Sequence, residues 1–290
     1  MQKLTKAWSL RSSVEFAQLE PGRLTVTTER ANLGGVTVSF SQISVGATVR
    51  GELRDGTLLL VVPATGETAG HWFGGPFTYG EIAGTSEGIE LCTAGPAAFL
   101  TVALPVERVR PCFAQRAVIS GSAPVRRARA ALWSAMATRR EHRDPLLGRF
   151  VATEVLASVT SLFDAASASA GAARALTRRV EAVRRCEAYL LQHAEGNPSL
   201  DELSEISGLR PRSLFNAFQA VTGLSPIAYL RRVRLNAVRR ELQRPEAVTR
   251  RIVDIAADCG FWHMGHFTAE YRGLFGELPS DTLRQARVTA

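Results

Sequence analysis

The sequence predicts an α+β chain in two parts: a β-rich N-terminal domain that carries its own helices, and an all-α C-terminal domain. Three observations predict this. Residues 20–105 alternate apolar with polar side chains and are punctuated by glycine and proline. From Ala172 onward the strand signal is gone and apolar residues recur at helical spacing. Within that second half, a helix–glycine–helix pattern occurs twice, 52 residues apart.

Taken in chain order, Val36, Val38 and Phe40 alternate with Thr37 and Ser39, the mark of a half-buried strand. Arg54-Asp55-Gly56-Thr57 signals a turn, and the apolar run Leu58–Val62 follows it. Gly46, Gly51, Gly56, Pro63, Gly66, Gly70 and Gly74-Gly75-Pro76 break the chain every few residues. Short strands with frequent turns predict a small cupin-like barrel or a sandwich. Pro105 and Pro111 close this region. Ala-rich segments around Val125–Arg140 and Leu146–Phe163 then predict two helices, broken near Asp144-Pro145. Ala165–Gly171 is small and uncharged and reads as a linker, with a continuous helix as the alternative because Ala is a good helix former. The expected domains are 1–165 (β-rich over 1–120, helical over 124–165), a linker over 166–176, and 177–290.

In the C-terminal part, Val180, Val183, Cys186, Tyr189 and Leu190 mark one face of a helix that stops at Gly196-Asn197-Pro198. Further helices are predicted at 199–207, 211–222, 226–242, 250–259 and 262–275. Ser199 is placed to cap the first of these, with Glu202 at the capping-box position. Gly208 ends it, Leu209 follows as an apolar plug, and Pro211 suits the first turn of the next helix. That helix turns Leu214 and Phe218 inward, and Thr222-Gly223 closes it. This is a helix-turn-helix unit. In the repeat, Ile252, Ile255 and Ala256 take the places of Leu200, Leu203 and Ser204, and Cys259-Gly260-Phe261 those of Ser207-Gly208-Leu209. Phe267 and Tyr271 match Leu214 and Phe218 after one extra residue. The two units therefore span 199–222 and 250–275. The helix between them, of about 16 residues, is ~24 Å long. With the offset of the flanking units, the two second helices are expected about one DNA turn, ~34 Å, apart.

Composition narrows the function. The chain has 290 residues, 46% hydrophobic and 21% charged, which allows a packed core and excludes wholesale disorder. Its net charge is +8, and 33 of the 35 basic residues are arginine. The excess is uneven: residues 1–105 carry net −2, 106–150 net +7, 151–173 net −2 and 174–290 net +5. A basic half joined to a near-neutral half fits a polyanion-binding module attached to something else, with a solvated Arg-rich surface as the plain alternative. No apolar run approaches 18 residues and the N-terminus has no stretch of signal-peptide length, so no membrane span is expected. Cys92, Cys112, Cys186 and Cys259 form no CxxC pair, which fits a reducing cytoplasm.

Residues from about 180 to 285 resemble the DNA-binding domain of the AraC/XylS family of bacterial transcription regulators. The resemblance is carried by Leu200–Leu209, Leu214–Gly223, Ser225–Leu235 and above all Asp254–Phe261, together with Phe267, Tyr271, Phe275-Gly276 and Pro279. It covers about a third of the chain. It implies a cytoplasmic, dimeric regulator, an activator with a repressor as the alternative, that binds double-stranded promoter DNA. A small-molecule effector would act through the N-terminal domain, and RNA polymerase is a further candidate partner. No cofactor, metal or catalysis is implied.

The base-reading candidates of the first unit are Arg210, Arg212, Ser213, Phe215 and Asn216. Arg can fork onto guanine and Asn can pair with adenine; by resemblance Arg212, Phe215 and Asn216 stand where the family reads bases. In the second unit the equivalent stretch holds His263, Met264, Gly265, His266 and Ala269. Gly265 and Ala269 offer no side-chain hydrogen bond, so this unit is expected mainly to grip the DNA backbone, with one histidine adding a contact. His263 and His266 also have metal-ligand spacing, but no third ligand is near in sequence. The linking helix brings Arg231, Arg232, Arg234, Arg239 and Arg240, some for phosphate and some to pair with Glu241 or Glu187.

Enzyme readings fare poorly. Residues 1–141 contain one histidine, His71, too few for a cupin metal site, and Gly74-Gly75 lacks the rest of a phosphate loop. Trp72, Phe73, Tyr79 and Glu81 form an aromatic patch that reads either as core or as an effector pocket. Two rival functions remain: a ligand-independent regulator whose N-terminal domain only dimerises or binds a protein, and an enzyme fused to a DNA-binding module. The second needs a reactive cysteine in a zinc-like cluster, and Cys92 and Cys112 stand 20 residues apart and unaccompanied.

Overall fold

The computed structural model describes residues 14–289, apart from 34, 67–69, 73–74, 87, 110–115, 121–122, 142–144, 167–171 and 194–197. In chain order the strands are β1 (Glu15–Gln18), β2 (Val26–Leu33), β3 (Val36–Ile43), β4 (Ala47–Glu52), β5 (Thr57–Pro63), β6 (Gly70–Trp72), β7 (Gly75–Phe77), β8 (Glu81–Thr85), β9 (Gly88–Thr93), β10 (Ala97–Pro105) and β11 (Arg116–Ser120). The helices are α1 (Ala123–Glu141), α2 (Pro145–Ala166), α3 (Ala172–Gln192), α4 (Leu200–Ser207), α5 (Pro211–Thr222), α6 (Pro226–Leu242), α7 (Ile252–Asp258), α8 (Met264–Phe275) and α9 (Pro279–Thr289).

The strands form two antiparallel sheets, ordered β1-β4-β9-β6-β7 and β11-β8-β5-β10-β3-β2. They pack face to face over Val49, Trp72, Phe77 and Leu91 of the first sheet and Ile43, Leu59, Val61, Ala83 and Phe99 of the second. The outer face of the second sheet is covered by α1 and α2, which bury Val125, Leu132, Val155 and Leu162 against Leu58, Leu60 and Val62. Strand β5 is thus apolar on both faces, and this explains the unbroken run Leu58–Val62 where alternation would mark a half-exposed strand. In β3, Val36 and Val38 are buried while Phe40 lies half-buried with its ring 5.5 Å from that of Trp133. The expected α+β class, with β-rich and all-α parts, is the architecture found.

The C-terminal domain has two cores that share one helix. Tyr229, Leu230 and Val233 of α6 join α3, α4 and α5 in the first core, and Leu235, Val238 and Leu242 join α7, α8 and α9 in the second. Among the described residues, no helix is long and apolar enough to cross a membrane.

Some boundaries differ from expectation. The expected linker is largely helical where it is described: Ala166 ends α2, and 172–176 open α3. Alanine's helix propensity prevails there; residues 167–171 lie outside the described residues. The helix expected from 250 starts at Ile252, after a 3₁₀ turn at Pro245–Thr249, and the one expected from 262 starts at Met264. Helix α9 was not anticipated. It is held by Leu283 in the second core and by Thr282, whose hydroxyl lies 2.8 Å from that of Tyr271.

Candidate nucleic-acid interface

The second helix of each unit, α5 and α8, is aimed by a short helix, a glycine and an apolar plug. Helix α4 begins with a closed capping box: the Glu202 N–H donates to Ser199 Oγ at 3.2 Å, and the Ser199 N–H donates to Glu202 Oε2 at 2.7 Å. Gly208 ends α4 at φ 69°, a left-handed conformation that glycine adopts without strain. The chain then folds back so that the Leu209 N–H donates to the Ser204 carbonyl at 3.2 Å. The second unit repeats this bond 52 residues on: the Phe261 N–H donates to the Ala256 carbonyl at 2.9 Å, with Gly260 at φ 84°. Leu209 and Phe261 plug the two cores at equivalent points.

The plugs fix which face of each second helix looks outward. In α5, Leu214, Ala217, Phe218 and Val221 are buried, leaving Arg212, Ser213, Phe215 and Asn216 exposed, with Arg210 exposed at the N-cap. Phe215 is 43% exposed, a large ring left in solvent beside a well-filled core. In α8, Phe267, Tyr271, Leu274 and Phe275 are buried. His263, Gly265, His266 and Ala269 are exposed and Met264 is half-buried. The candidate residues of each unit thus lie together on one outward face. The rings of His263 and His266 stand edge to face, 6.5 Å between centroids. Among the described residues, no group of three metal-capable side chains forms around them.

The linking helix contributes fewer free cations than its sequence offers. Arg231 Nε lies 2.8 Å from Glu270 of α8. Arg239 pairs with Glu277 at 2.9 Å and lies 4.4 Å over the Phe275 ring. Arg240 reaches Glu15 at 3.5 Å. The expected partners are engaged elsewhere, Glu241 with Arg244 at 3.0 Å and Glu187 with Arg50 at 2.6 Å. Arg232 and Arg234 are half-buried, and burial lowers both guanidinium pKa values from their usual range, with Arg231 adding repulsion at Arg234.

Between α6 and α8 lies a groove of about 330 Å³ whose walls include Arg231, Arg234, Trp262, His263 and His266. Trp262 is 62% exposed, and Ile227 on the same groove is 47% exposed. Both were missed in the sequence. The available signal was an indole directly after the Gly260-Phe261 plug, at a position with no inward helical partner.

The aromatic patch of the N-terminal domain divides. Trp72 is buried between the sheets, its ring 6.0 Å from that of Phe77. Tyr79 is exposed on a turn, with the Arg129 guanidinium 3.8 Å over its ring. Glu81 caps that turn, accepting from the Thr78 N–H at 2.7 Å. Trp72 is thus interior and Tyr79 at the surface, and Phe73 lies outside the described residues.

A family profile described as a helix-turn-helix domain matches residues 203–285, which run from α4 into α9. Over 99 residues the chain is 43% identical to the XylDLEGF operon transcriptional activator of Pseudomonas putida, covering 34% of this chain and 31% of that one. It is 36% identical over 100 residues to the HTH-type transcriptional activator RhaS of Escherichia coli, covering 34% of each. Among solved structures, a probable AraC family transcriptional regulator from Rhodopseudomonas palustris is 38% identical over 36% of this chain and 96% of its own, with a TM-score of 0.31. The chain belongs to the AraC/XylS family. It spans about a third of the length of the curated relatives it matches. As an AraC/XylS chain, it carries the family's helix-turn-helix domain after two antiparallel sheets.

Proposed function

We propose that this chain regulates transcription by binding promoter DNA, with α5 and α8 entering successive major grooves on one face of the duplex. The observation that carries this reading is the pair of outward faces, Arg212–Asn216 and His263–Ala269, built by equivalent glycine turns and tied to one helix. On α5, Arg212 and Asn216 supply the forked donor and the amide that distinguish guanine and adenine. On α8 the small Gly265 and Ala269 admit the DNA backbone closely, and His263 or His266 adds a contact. Arg231, Arg234 and Trp262 line the groove between the units, where the phosphates between two major grooves would pass. Activation, a homodimer and contact with RNA polymerase belong to the same proposal.

For the N-terminal domain we propose the responsive role, a small-molecule effector shifting the population of DNA-competent arrangements. A specific observation favours the ligand-independent alternative: Trp72 is committed to the core and Tyr79 to a surface pair with Arg129. Thermal melts against a broad metabolite panel separate the two, a ligand-induced shift supporting the effector and its absence the alternative.

The test of the main reading is retention of genomic fragments by the full chain, followed by salt titration on a retained sequence. Neutralising several phosphates makes affinity fall roughly tenfold or more over a few-fold rise in salt. Failure to retain any duplex at low salt would overturn it.

A further inference from the structure

The N-terminal domain touches both helix-turn-helix units without covering either reading face. Gln18, 2% exposed at the end of β1, forms a closed amide pair with Asn236 of the linking helix. The Gln18 main-chain N–H donates to Asn236 Oδ1, and Asn236 Nδ2 donates to the Gln18 carbonyl, both at 2.9 Å. The Gln18 side chain then continues to the second reading helix, where Nε2 donates to the Leu274 carbonyl at 2.7 Å. The Gly22 N–H donates to the same carbonyl at 3.1 Å. Leu274 lies in the last turn of α8, where helix carbonyls lack intrahelical partners, so Gln18 and Gly22 satisfy a carbonyl that the helix leaves open before its Gly276 cap.

The first unit is held from β4 and β9. Cys92 of β9 packs in the first core with Leu19, and its thiol donates to the carbonyl of Thr222, the last residue of α5, at 3.7 Å. Arg50 of β4 reaches Glu187 of α3 at 2.6 Å, the Tyr229 hydroxyl of α6 at 3.3 Å and Glu90 at 3.4 Å, and Arg184 closes on Glu90 from α3. Burial alone would lower the Arg50 pKa, but Tyr229, Glu187 and Glu90 raise it beyond its usual range, so the charge is retained.

One rigid pair of sheets therefore binds the C-terminal ends of α5 and α8 and the helix that joins them, while Arg212, Phe215, Asn216, His263 and His266 stay exposed. We propose that Gln18 is a positioning residue: through Asn236 and Leu274 it fixes the orientation of the second reading helix relative to the first, so that simultaneous engagement of two major grooves depends on the docked N-terminal domain. This rests on the DNA-binding reading above. Its physical basis is that α6, shared by two separate cores, is the covalent hinge between the units, and hydrogen bonds from a third body restrict it.

The experiment compares the full chain with Gln18→Met and Gln18→Glu, the first removing the Nε2 donor and the second turning a carboxylate toward the carbonyls of Glu20, Gly22 and Leu274, which surround Nε2 at 2.7–2.8 Å. A retained fragment and a copy scrambled under α8 serve as DNA probes. Genetically encoded spin labels at the exposed Gln219 of α5 and Arg272 of α8 report the distance between the units. Both variants are expected to lose affinity for the intact fragment on the order of tenfold, as for a buried hydrogen bond left unmade. Affinity for the scrambled fragment should stay unchanged and the distance distribution should broaden. Equal losses on both fragments, or an unchanged distribution in folded variants, would overturn the proposal. If the parent binds no DNA yet the distribution broadens in the variants, the DNA-binding reading fails and the positioning role of Gln18 stands. Should both variants fail to fold, Asn236→Leu removes the other arm of the bridge, its pair with the Gln18 main chain, and is read in the same way.

Discussion

Arg231 Nε and Glu270 Oε2, 2.8 Å apart, join the linking helix to the second reading helix on the wall of the groove between the two units. The pair holds a cation beside the proposed phosphate path while partly neutralising it. Arg231 is 57% exposed, so the pair itself contributes little to stability, about 0.2–1 kcal/mol. A larger effect is expected on DNA binding. Glu270→Ala is expected to free Arg231 for phosphate, tightening DNA binding in low salt and steepening the salt dependence by about one counterion. An affinity titration at several salt concentrations checks this, and a reduced slope would contradict it.

On α5 the exposed faces of Arg212 and Phe215 predict a separation of binding from folding. Arg212→Ala should cost about 1–3 kcal/mol of DNA binding and relax preference at one base position. Neither Arg212→Ala nor Phe215→Ala should move the melting temperature appreciably, because both side chains stand outside the core. Binding selections with melts on the same samples decide it. A melting drop comparable with that of Leu214→Ala, which lies at 0% exposure, would show that Phe215 is structural.

The glycine turn of the first unit can be tested without steric complication. A Cβ at Gly208 would meet nothing within 4 Å, so Gly208→Ala reports only the strain of φ 69°. The expected loss is about 1–2 kcal/mol of stability, read by denaturant unfolding of the full chain. A neutral result would mean that the turn relaxes to an ordinary conformation.

His71 predicts a pH dependence. It is half-buried on β6, its Nδ1 has no hydrogen-bond partner among the described residues, and burial lowers its pKa from 6.5. Below pH 6.5 the unfolded chain takes up a proton that the folded chain resists. Stability from this group is therefore intact above pH 6.5 and is lost as pH falls toward the lowered value. His71→Gln is expected to lose less stability than the parent between pH 7.5 and 5. Parallel melts at the two pH values measure the difference, and identical losses would remove His71 as a cause.

The two helix-turn-helix units were legible to within about two residues at their helix starts because their determinants are local. A cap at Ser199, glycines at 208 and 260, plugs at Leu209 and Phe261, and inward residues four apart act within a few turns of chain. Such short-range chemistry leaves the same mark in sequence and structure, and it named both outward faces. The division into a strand-rich and a helical part followed equally from periodicity.

What only the tertiary structure decided depends on groups far apart in sequence. Nothing near Gln18 announces that it meets Asn236, 218 residues away, or that its side-chain amide donates to the Leu274 carbonyl in the last turn of α8. The pairing of Glu187 with Arg50 instead of a linking-helix arginine, and the burial of Trp72 away from Tyr79, are likewise consequences of which surfaces the chain brings together. Local periodicity encodes which face of an element is apolar. Which other element covers that face is settled only when all of them compete for burial, and in this chain that competition sets the sheets against both helix-turn-helix units.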